Sequence, residues 1–190
     1  MKILLDCGAH NGDSIPDLVS LFGPFDKIYA FEANPSYEKE ILALRSQYNN
    51  LELICAAVWD KQEKVKLFLG ETGLESSLIF EKKTGGFSKT NYVESEAIDF
   101  SEWMKSNLSI NDTIYLKMDI EGAEFPVLEK MIRDGTHRMV DVFLPEWHAD
   151  RIDYKHVKFR RRYIELRFKL SGIKILRWSK KYLRRKGYNI

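Results

Sequence analysis

Residues 3–14 read ILLDCGAHNGDS: an apolar run, then Asp6, Gly8 and, four residues further, Gly12. Such a run fits a buried strand, and glycines at its carboxyl end let the backbone turn sharply toward a ligand held at the next helix N-terminus. A dinucleotide fold would place glycine at the first, third and sixth positions to admit a pyrophosphate. His10 stands at the third position, where its ring would crowd that group. The spacing favours a smaller ligand, such as the methionine portion of S-adenosylmethionine. Asp6, Gly8, Ala9, His10, Asn11, Gly12 and Ser14 are its candidate contacts, with His10 read as a structural loop histidine rather than a catalyst.

Outward from this segment, apolar runs at 27–31, 51–58, 113–118 and 140–144 alternate with helix-like stretches. That alternation predicts an α/β fold of Rossmann-like type, a mostly parallel, doubly wound sheet covered on both faces. One helix starts near Ser14 or Ile15. In a second, Asn34 caps, Pro35 takes the first helical position, and Ile41, Leu44 and Tyr48 recur at helical spacing. A third runs from about Ala123 to Asp134, with Pro126 in its first turn and Gly135 as a left-handed stop. Asp60 to Glu63 reads as a turn joining the 51–58 strand to another at 65–69. The long connection that follows, with Gly70, Gly73, Gly85 and Gly86, is read as a substrate lid or a tolerated insertion.

The sequence has 190 residues, 44% of them hydrophobic, enough to bury one core, so a single domain is expected. Cys7 and Cys55 lie in separate apolar runs and read as buried, reduced thiols of a cytoplasmic protein; neither a secretory leader nor a transmembrane run is recognisable. The net charge of +2 hides a division. Fourteen of the 30 basic residues fall from Lys155 onward beside one acid, Glu165, leaving sixteen basic against 27 acidic residues before it. Residues 1–154 are therefore read as the acidic cofactor-binding part. Residues 155–190 are read as a basic segment that packs on the same domain, with an anionic partner or the acidic body itself screening its charge.

Glu32 ends the 27–31 run twenty residues beyond Gly12, where an acid in this architecture accepts ribose hydroxyls. Ala33 and Asn34 follow it in the expected cofactor site, and Ala56, Ala57 and Val58 would flank the adenine. Ligands of open α/β sheets bind beyond the strand carboxyl ends, which brings Asp119, Glu121, Glu146 and His148 beside the cofactor. Transfer of a group from a bound cofactor needs alignment, and an acceptor that must lose a proton needs a base. His148, with an ordinary pKa near 6.5, suits the base, and Asp119 is the alternative base or the group that orients it. A divalent cation held by Asp119, Glu146 and His148 is a less favoured alternative, because no compact metal motif is present and Glu121 and Glu124 also suit a helix N-terminus.

Read together, DCGAHNGDS (6–14), FEANP (31–35), AAVWD with VKLFLG (56–70), Ser76 and Ser77, and above all YLKMDIEGAEFPVLEKMI (115–132) resemble the FkbM-type methyltransferases, a family of class I enzymes. The resemblance covers roughly residues 3–148. It implies S-adenosylmethionine as cofactor, S-adenosylhomocysteine as product, a hydroxyl acceptor on a sugar, glycan or glycosylated small molecule, and Glu121, Glu146 and Ser77 as acceptor contacts. It also implies a seven-stranded sheet. This chain departs from that pattern after the fifth strand, where 173–178 is the sole further strand candidate, so the usual last hairpin is expected to be missing. Two rival readings stay open: a nucleic-acid methyltransferase, suggested by Tyr163, Phe168, Trp178 and Tyr182 among the basic residues, and a binding module without activity.

Overall fold

The computed structural model of the chain describes residues 1–70, 76–78, 90–148, 156–185 and 187. Its strands are β1 (Lys2–Cys7), β2 (Lys27–Phe31), β3 (Leu51–Ile54), β4 (Ala57–Trp59), β5 (Glu63–Leu69), β6 (Ser76–Ser77), β7 (Tyr92–Asp99), β8 (Thr113–Met118), β9 (Val140–Pro145) and β10 (Lys174–Ile175). Its α-helices are α1 (Ser14–Phe22), α2 (Glu38–Ala43), α3 (Phe100–Asn107), α4 (Glu124–Asp134), α5 (Val157–Leu170) and α6 (Lys180–Arg185). The fold is α/β. Six strands form a parallel central sheet in the order β10-β9-β8-β1-β2-β3, and β4-β7-β5-β6 form a smaller mixed sheet.

Alternation along the central strands divides the core into two layers. Ile3, Leu5 and Cys7 of β1, with Ile114, Leu116 and Met118 of β8, face one apolar cluster that includes Phe100 of α3, Phe125 and Leu128 of α4, and Ile164 and Phe168 of α5. Leu4 of β1 and Ile28 and Ala30 of β2 face the other, with Ile15 and Leu18 of α1, Ile41 of α2 and Leu183 of α6. Helix α4 buries Phe125, Val127, Leu128, Met131 and Ile132 on one face and stops at Gly135, whose φ is 83°. Asn34 caps a 3-10 turn, Pro35–Tyr37, through Ser36 N, and α2 follows as a single short helix.

Several expectations need correction. The 51–58 run is two strands: the chain turns after Ile54, whose carbonyl accepts from both Glu32 N and Ala56 N, so β3 stays in the central sheet while β4 joins the smaller one. Cys55 sits at that turn and is exposed; Cys7 is buried, and both thiols are free. The turn expected near 60–63 does join two successive strands, β4 and β5, and β7 lies between them in the smaller sheet. The expected lid falls largely on 71–75 and 79–89, outside the described residues. Of the 173–178 candidate, Lys174 and Ile175 pair with β9, and among the described residues no strand lies beyond them. Within the basic segment, Phe168, Ile173 and Leu176 are buried, whereas Leu166 and Leu170 are exposed.

Strand order reverses between β1 and β8, and the crevice of such a sheet opens there. The two strand ends are bonded together, Asp119 N donating to Cys7 O at 3.0 Å. Gly8 follows with φ +78°, and a Cβ on it would fall 1.9 Å from the Asp119 carbonyl oxygen. Gly135 has a similar φ, +83°, with nothing within 4 Å of its missing side chain. The pair separates backbone strain from collision: Gly135→Ala should cost about 1 to 2 kcal/mol, and Gly8→Ala distinctly more, with about 1 to 3 kcal/mol of overpacking added. Equal denaturation midpoint shifts in the two variants would contradict the close approach.

Candidate cofactor and catalytic site

A cavity of about 340 Å³ opens at the carboxyl ends of β1, β2 and β8 and is closed on one side by the smaller sheet. That volume lies within the range of roughly 300 to 1,000 Å³ of small-molecule sites. The loop at its floor is clamped from two directions. Gly8 N and Ala9 N both donate to Phe31 O at 3.0 Å, and Gly12 N donates to Ala9 O at 2.8 Å, so the chain enters α1 beside the end of β2.

Glu32 stands at one end of the cavity. One carboxylate oxygen accepts from His10 N and the other from Asn34 N, each at 2.7 Å. A carboxylate offers about four lone-pair sites, so each oxygen keeps a position for a further donor. Burial pushes the Glu32 carboxyl above its ordinary pKa, against the opposing pull of those two N–H groups. His10 takes a positive φ of 52° and lies 4.0 Å from the Tyr37 ring between centroids, which matches a histidine that shapes a loop.

At the floor, Lys117 and Asp6 are direct cross-strand partners in the β8 and β1 register. Lys117 Nζ lies 3.2 Å from Asp6 Oδ1 and 3.6 Å from Asp119 Oδ2, and it donates to Gly8 O at 2.7 Å. Ser14 Oγ donates to the other Asp6 oxygen at 2.5 Å. Burial alone would lower the Lys117 pKa; the charges of Asp6 and Asp119 outweigh it and raise it, so Lys117 remains a cation. Burial pushes the Asp6 carboxyl up, with Lys117 and Ser14 pulling the other way.

The far wall is the turn from β8 into α4. Glu121 and Gly122 adopt φ of 55° and 107°, and Glu124 holds this turn by accepting from Ile120 N at 3.1 Å and Gly122 N at 3.0 Å. Ser77 Oγ of β6 donates to Glu121 O at 2.9 Å, tying the smaller sheet to the same turn. His148, 3% exposed, sits behind it. Its Nδ1 is 2.9 Å from Glu124 Oε1, and its Nε2 is 3.5 Å from Glu121 and 3.6 Å from Asp119 carboxylate oxygens. Burial would lower the His148 pKa, but the Glu124 hydrogen bond and the charges of Glu124, Glu121 and Asp119 push it up to about 9. Glu146 is raised by burial and then by Asp119.

Of the expected site residues, Gly8, His10, Ser14, Glu32, Ala33, Ala56, Ala57, Val58, Ser77, Asp119 and Glu121 line the cavity. Asp6 lies beneath its floor and Asn34 is occupied as a cap. Ala9, Asn11, Gly12, Glu146 and His148 are not among the lining residues. Gly12 takes a left-handed φ of +86°, which favours glycine, and a Cβ there would have to displace the tip of the Leu44 side chain. Sequence reasoning missed Asp13, Asp17, Leu67, Lys117 and Trp178 as lining groups. Lys117 carried a signal, being a charge inside an otherwise apolar strand. Trp178 carried none; it arrives by donating its N–H to Pro145 O beyond β10. Asp119, Glu124 and His148 bring donor atoms within 4.8 Å of one another, as a metal site would require. Glu146, the third ligand of the metal alternative, is not in that group, and Glu124 is already engaged by two backbone N–H groups and the imidazole.

The family model described as the methyltransferase FkbM domain matches residues 6–170. Among solved structures, a methyltransferase FkbM from Methylobacillus flagellatus KT is similar in fold, with a TM-score of 0.54 at 14% identity. The likeness covers 91% of this chain and 37% of that one, so the chain spans well under half the length of its structural neighbour. A comparison with curated proteins finds no match.

The His148 network has a pH signature. A folded pKa of about 9 against an ordinary 6.5 means that the bound proton stabilises the fold fully below pH 6.5. The contribution, on the order of 3 kcal/mol, fades as pH rises through 9. The stability gap between the parent and His148→Gln should therefore be wide at neutral pH and narrow above pH 9 in denaturant titrations. A gap independent of pH would mean that His148 is neutral in the fold.

Proposed function

Because the chain belongs to the FkbM methyltransferase family, we propose that it transfers a methyl group from S-adenosylmethionine to a hydroxyl oxygen, on a sugar or glycan, and releases S-adenosylhomocysteine. The observation that carries this reading is the cavity at the strand switch point, with the Glu32 carboxylate at one end and Asp119 and Glu121 along its wall. When bound, the cofactor supplies an electrophilic methyl group on a sulfonium. Glu32 accepts the ribose hydroxyls with its remaining lone pairs. Ala56, Ala57 and Val58 leave room for a flat adenine, and the Gly8 to Ser14 loop receives the methionine portion.

The cofactor would supply the methyl group by breaking its sulfur–methyl bond, the electron pair leaving with sulfur as the thioether of S-adenosylhomocysteine, and the acceptor hydroxyl would lose its proton to a carboxylate of this chain. Asp119 is the group for that step, since it lines the cavity and is a quarter exposed, with a side-chain accessibility of 26%. This revises the base assignment to His148, which rested on an ordinary pKa. An imidazole raised to about 9 is already protonated at neutral pH, so His148 acts as a positioning residue that holds Asp119 and Glu121 toward the cavity. Ser77 and Glu121 orient the acceptor, whereas Glu146, outside the cavity lining, is left without that role. A divalent cation remains outside the proposal, because the imidazolium supplies the positive charge among these carboxylates.

We place most of the cofactor site within 1–154, with Trp178 of the basic segment completing its lining, and assign 155–190 to the same domain, because Ile164 and Phe168 enter one core layer and Leu183 the other. Two free thiols fit a cytoplasmic setting. A nucleic-acid acceptor fits less well: of the aromatic residues in the basic segment, Phe168 is buried, and Trp178 and Tyr182 pack against the second cluster, which leaves few rings for base stacking.

Two variants separate the proposed roles. Glu32→Ala should weaken cofactor binding by about 1.5 to 3 kcal/mol through loss of charged hydrogen bonds. Asp119→Asn should lower kcat about a hundredfold or more with smaller change in cofactor Kd. Transfer of labelled methyl to a set of sugars and their amino analogues, with the product bond identified, provides the readout. Methylation at nitrogen alone, or full turnover by Asp119→Asn, would contradict the assignment.

A further inference from the structure

Helix α5 has two apolar faces. Ile164 and Phe168 point into the core and Val157 packs beside them. On the opposite side Phe159, Tyr163, Leu166 and Leu170 are 71%, 39%, 54% and 74% exposed. Their spacing of four, three and four residues aligns them in one stripe about 16 Å long, given a rise of about 1.5 Å per residue. A helix that had only to cover the sheet would carry polar residues there. The flanks are basic. Lys158, Arg162 and Lys169 are exposed along one edge of the stripe, and Arg167 lies against Tyr163 on the other, 6.0 Å from the ring centroid. Glu165, the sole acid from Lys155 onward, is paired with Arg161 at 2.8 Å.

We propose that the outer face of α5 docks this protein onto an anionic lipid surface, the stripe entering the boundary of head groups and acyl chains while the basic flanks meet lipid phosphates. An apolar stripe bordered by Lys and Arg without free acids is the composition of helices that lie in a membrane interface. The long basic side chains reach outward to phosphates while their stems follow the apolar row. A symmetric pairing of two copies through this stripe would bring Lys158, Arg162 and Lys169 of one against the like charges of the other. Four side chains also fall short of the roughly 800 Å² per partner that stable interfaces bury. A lipid surface needs no such area and neutralises the flanks. Among the described residues no helix is long and apolar enough to cross a membrane, so this contact is interfacial.

The test is sedimentation of the full chain with vesicles of phosphatidylcholine, with and without phosphatidylglycerol, at low and high salt. The proposal expects partitioning to the mixed vesicles, weakening as salt rises. Lys158→Gln/Arg162→Gln/Lys169→Gln should lower it by about a hundredfold, and Phe159→Ser/Leu166→Ser/Leu170→Ser by about tenfold or more. All these residues are exposed, so melting temperature and cofactor binding should stay at parent values. Leu170→Ser alone replaces the triple variant if that one melts early. No partitioning, equal capture by phosphatidylcholine alone, or an unchanged affinity after loss of the stripe would overturn the proposal. So would vesicle-independent self-association, or retention on duplex DNA, that the stripe variant abolishes.

Discussion

A buried cation between two carboxylates sets the geometry of the site. Lys117 and Asp6 oppose each other across β8 and β1, and the lysine also reaches Gly8 O and Asp119. Breaking a buried pair of this kind by removing one partner leaves an uncompensated charge and is worth about 3 to 5 kcal/mol. The pair therefore ties the two strands at the point where their order reverses. Gly8 can approach the Asp119 backbone closely because no side chain intervenes, and its carbonyl oxygen accepts a hydrogen bond from the Lys117 ammonium group.

Beyond this floor a second set of bonds holds the wall. Glu124 satisfies the N–H groups of Ile120 and Gly122 in a turn whose Glu121 has a positive φ, and the same carboxylate orients His148. Three acids so close together would repel one another without a counter-charge. The imidazole of His148, its pKa pushed up to about 9 by these neighbours, supplies it, and Asp119 and Glu121 line a cavity that Glu32 faces from the other end. The separation of the two carboxylates follows from strand order: Glu32 stands at the end of β2, on one side of β1, and Asp119 at the end of β8, on the other.

The parallel strands and much of the cavity lining near β1 and β2 were legible because they are written in local patterns. Apolar runs mark β1, β2, β8 and β9, the glycine spacing marks the β1 turn, and Gly135 marks the end of α4. The family likeness over 115–132 located the wall. What escaped depends on contacts between distant segments. Nothing in LELICAAVW shows that the chain leaves one sheet at Cys55 and enters another, and β7 carries alternating acids that hide a strand. His148 looked like a free base because three carboxylates around it come from residues 24 to 29 positions earlier. Lys117 stood in plain view within an apolar strand, yet its role required the register that puts Asp6 opposite it. The sequence of 155–190 does not say which of its apolar residues pack on the domain; helical geometry divides them between the core and the outer face of α5.

The acidic body and basic end thus have separate work. The sheet edge assembles a cavity from β1, β2 and β8, and the last segment closes the domain and carries charge outward. The central claim is that the cavity between Glu32 and Asp119 is a methyl-donor site. Titration calorimetry of the parent protein with S-adenosylhomocysteine and, separately, with NAD tests it most directly. The account predicts one-site binding of S-adenosylhomocysteine and no detectable binding of NAD, whose pyrophosphate the loop at His10 does not accommodate. Binding of NAD in preference to S-adenosylhomocysteine would contradict it.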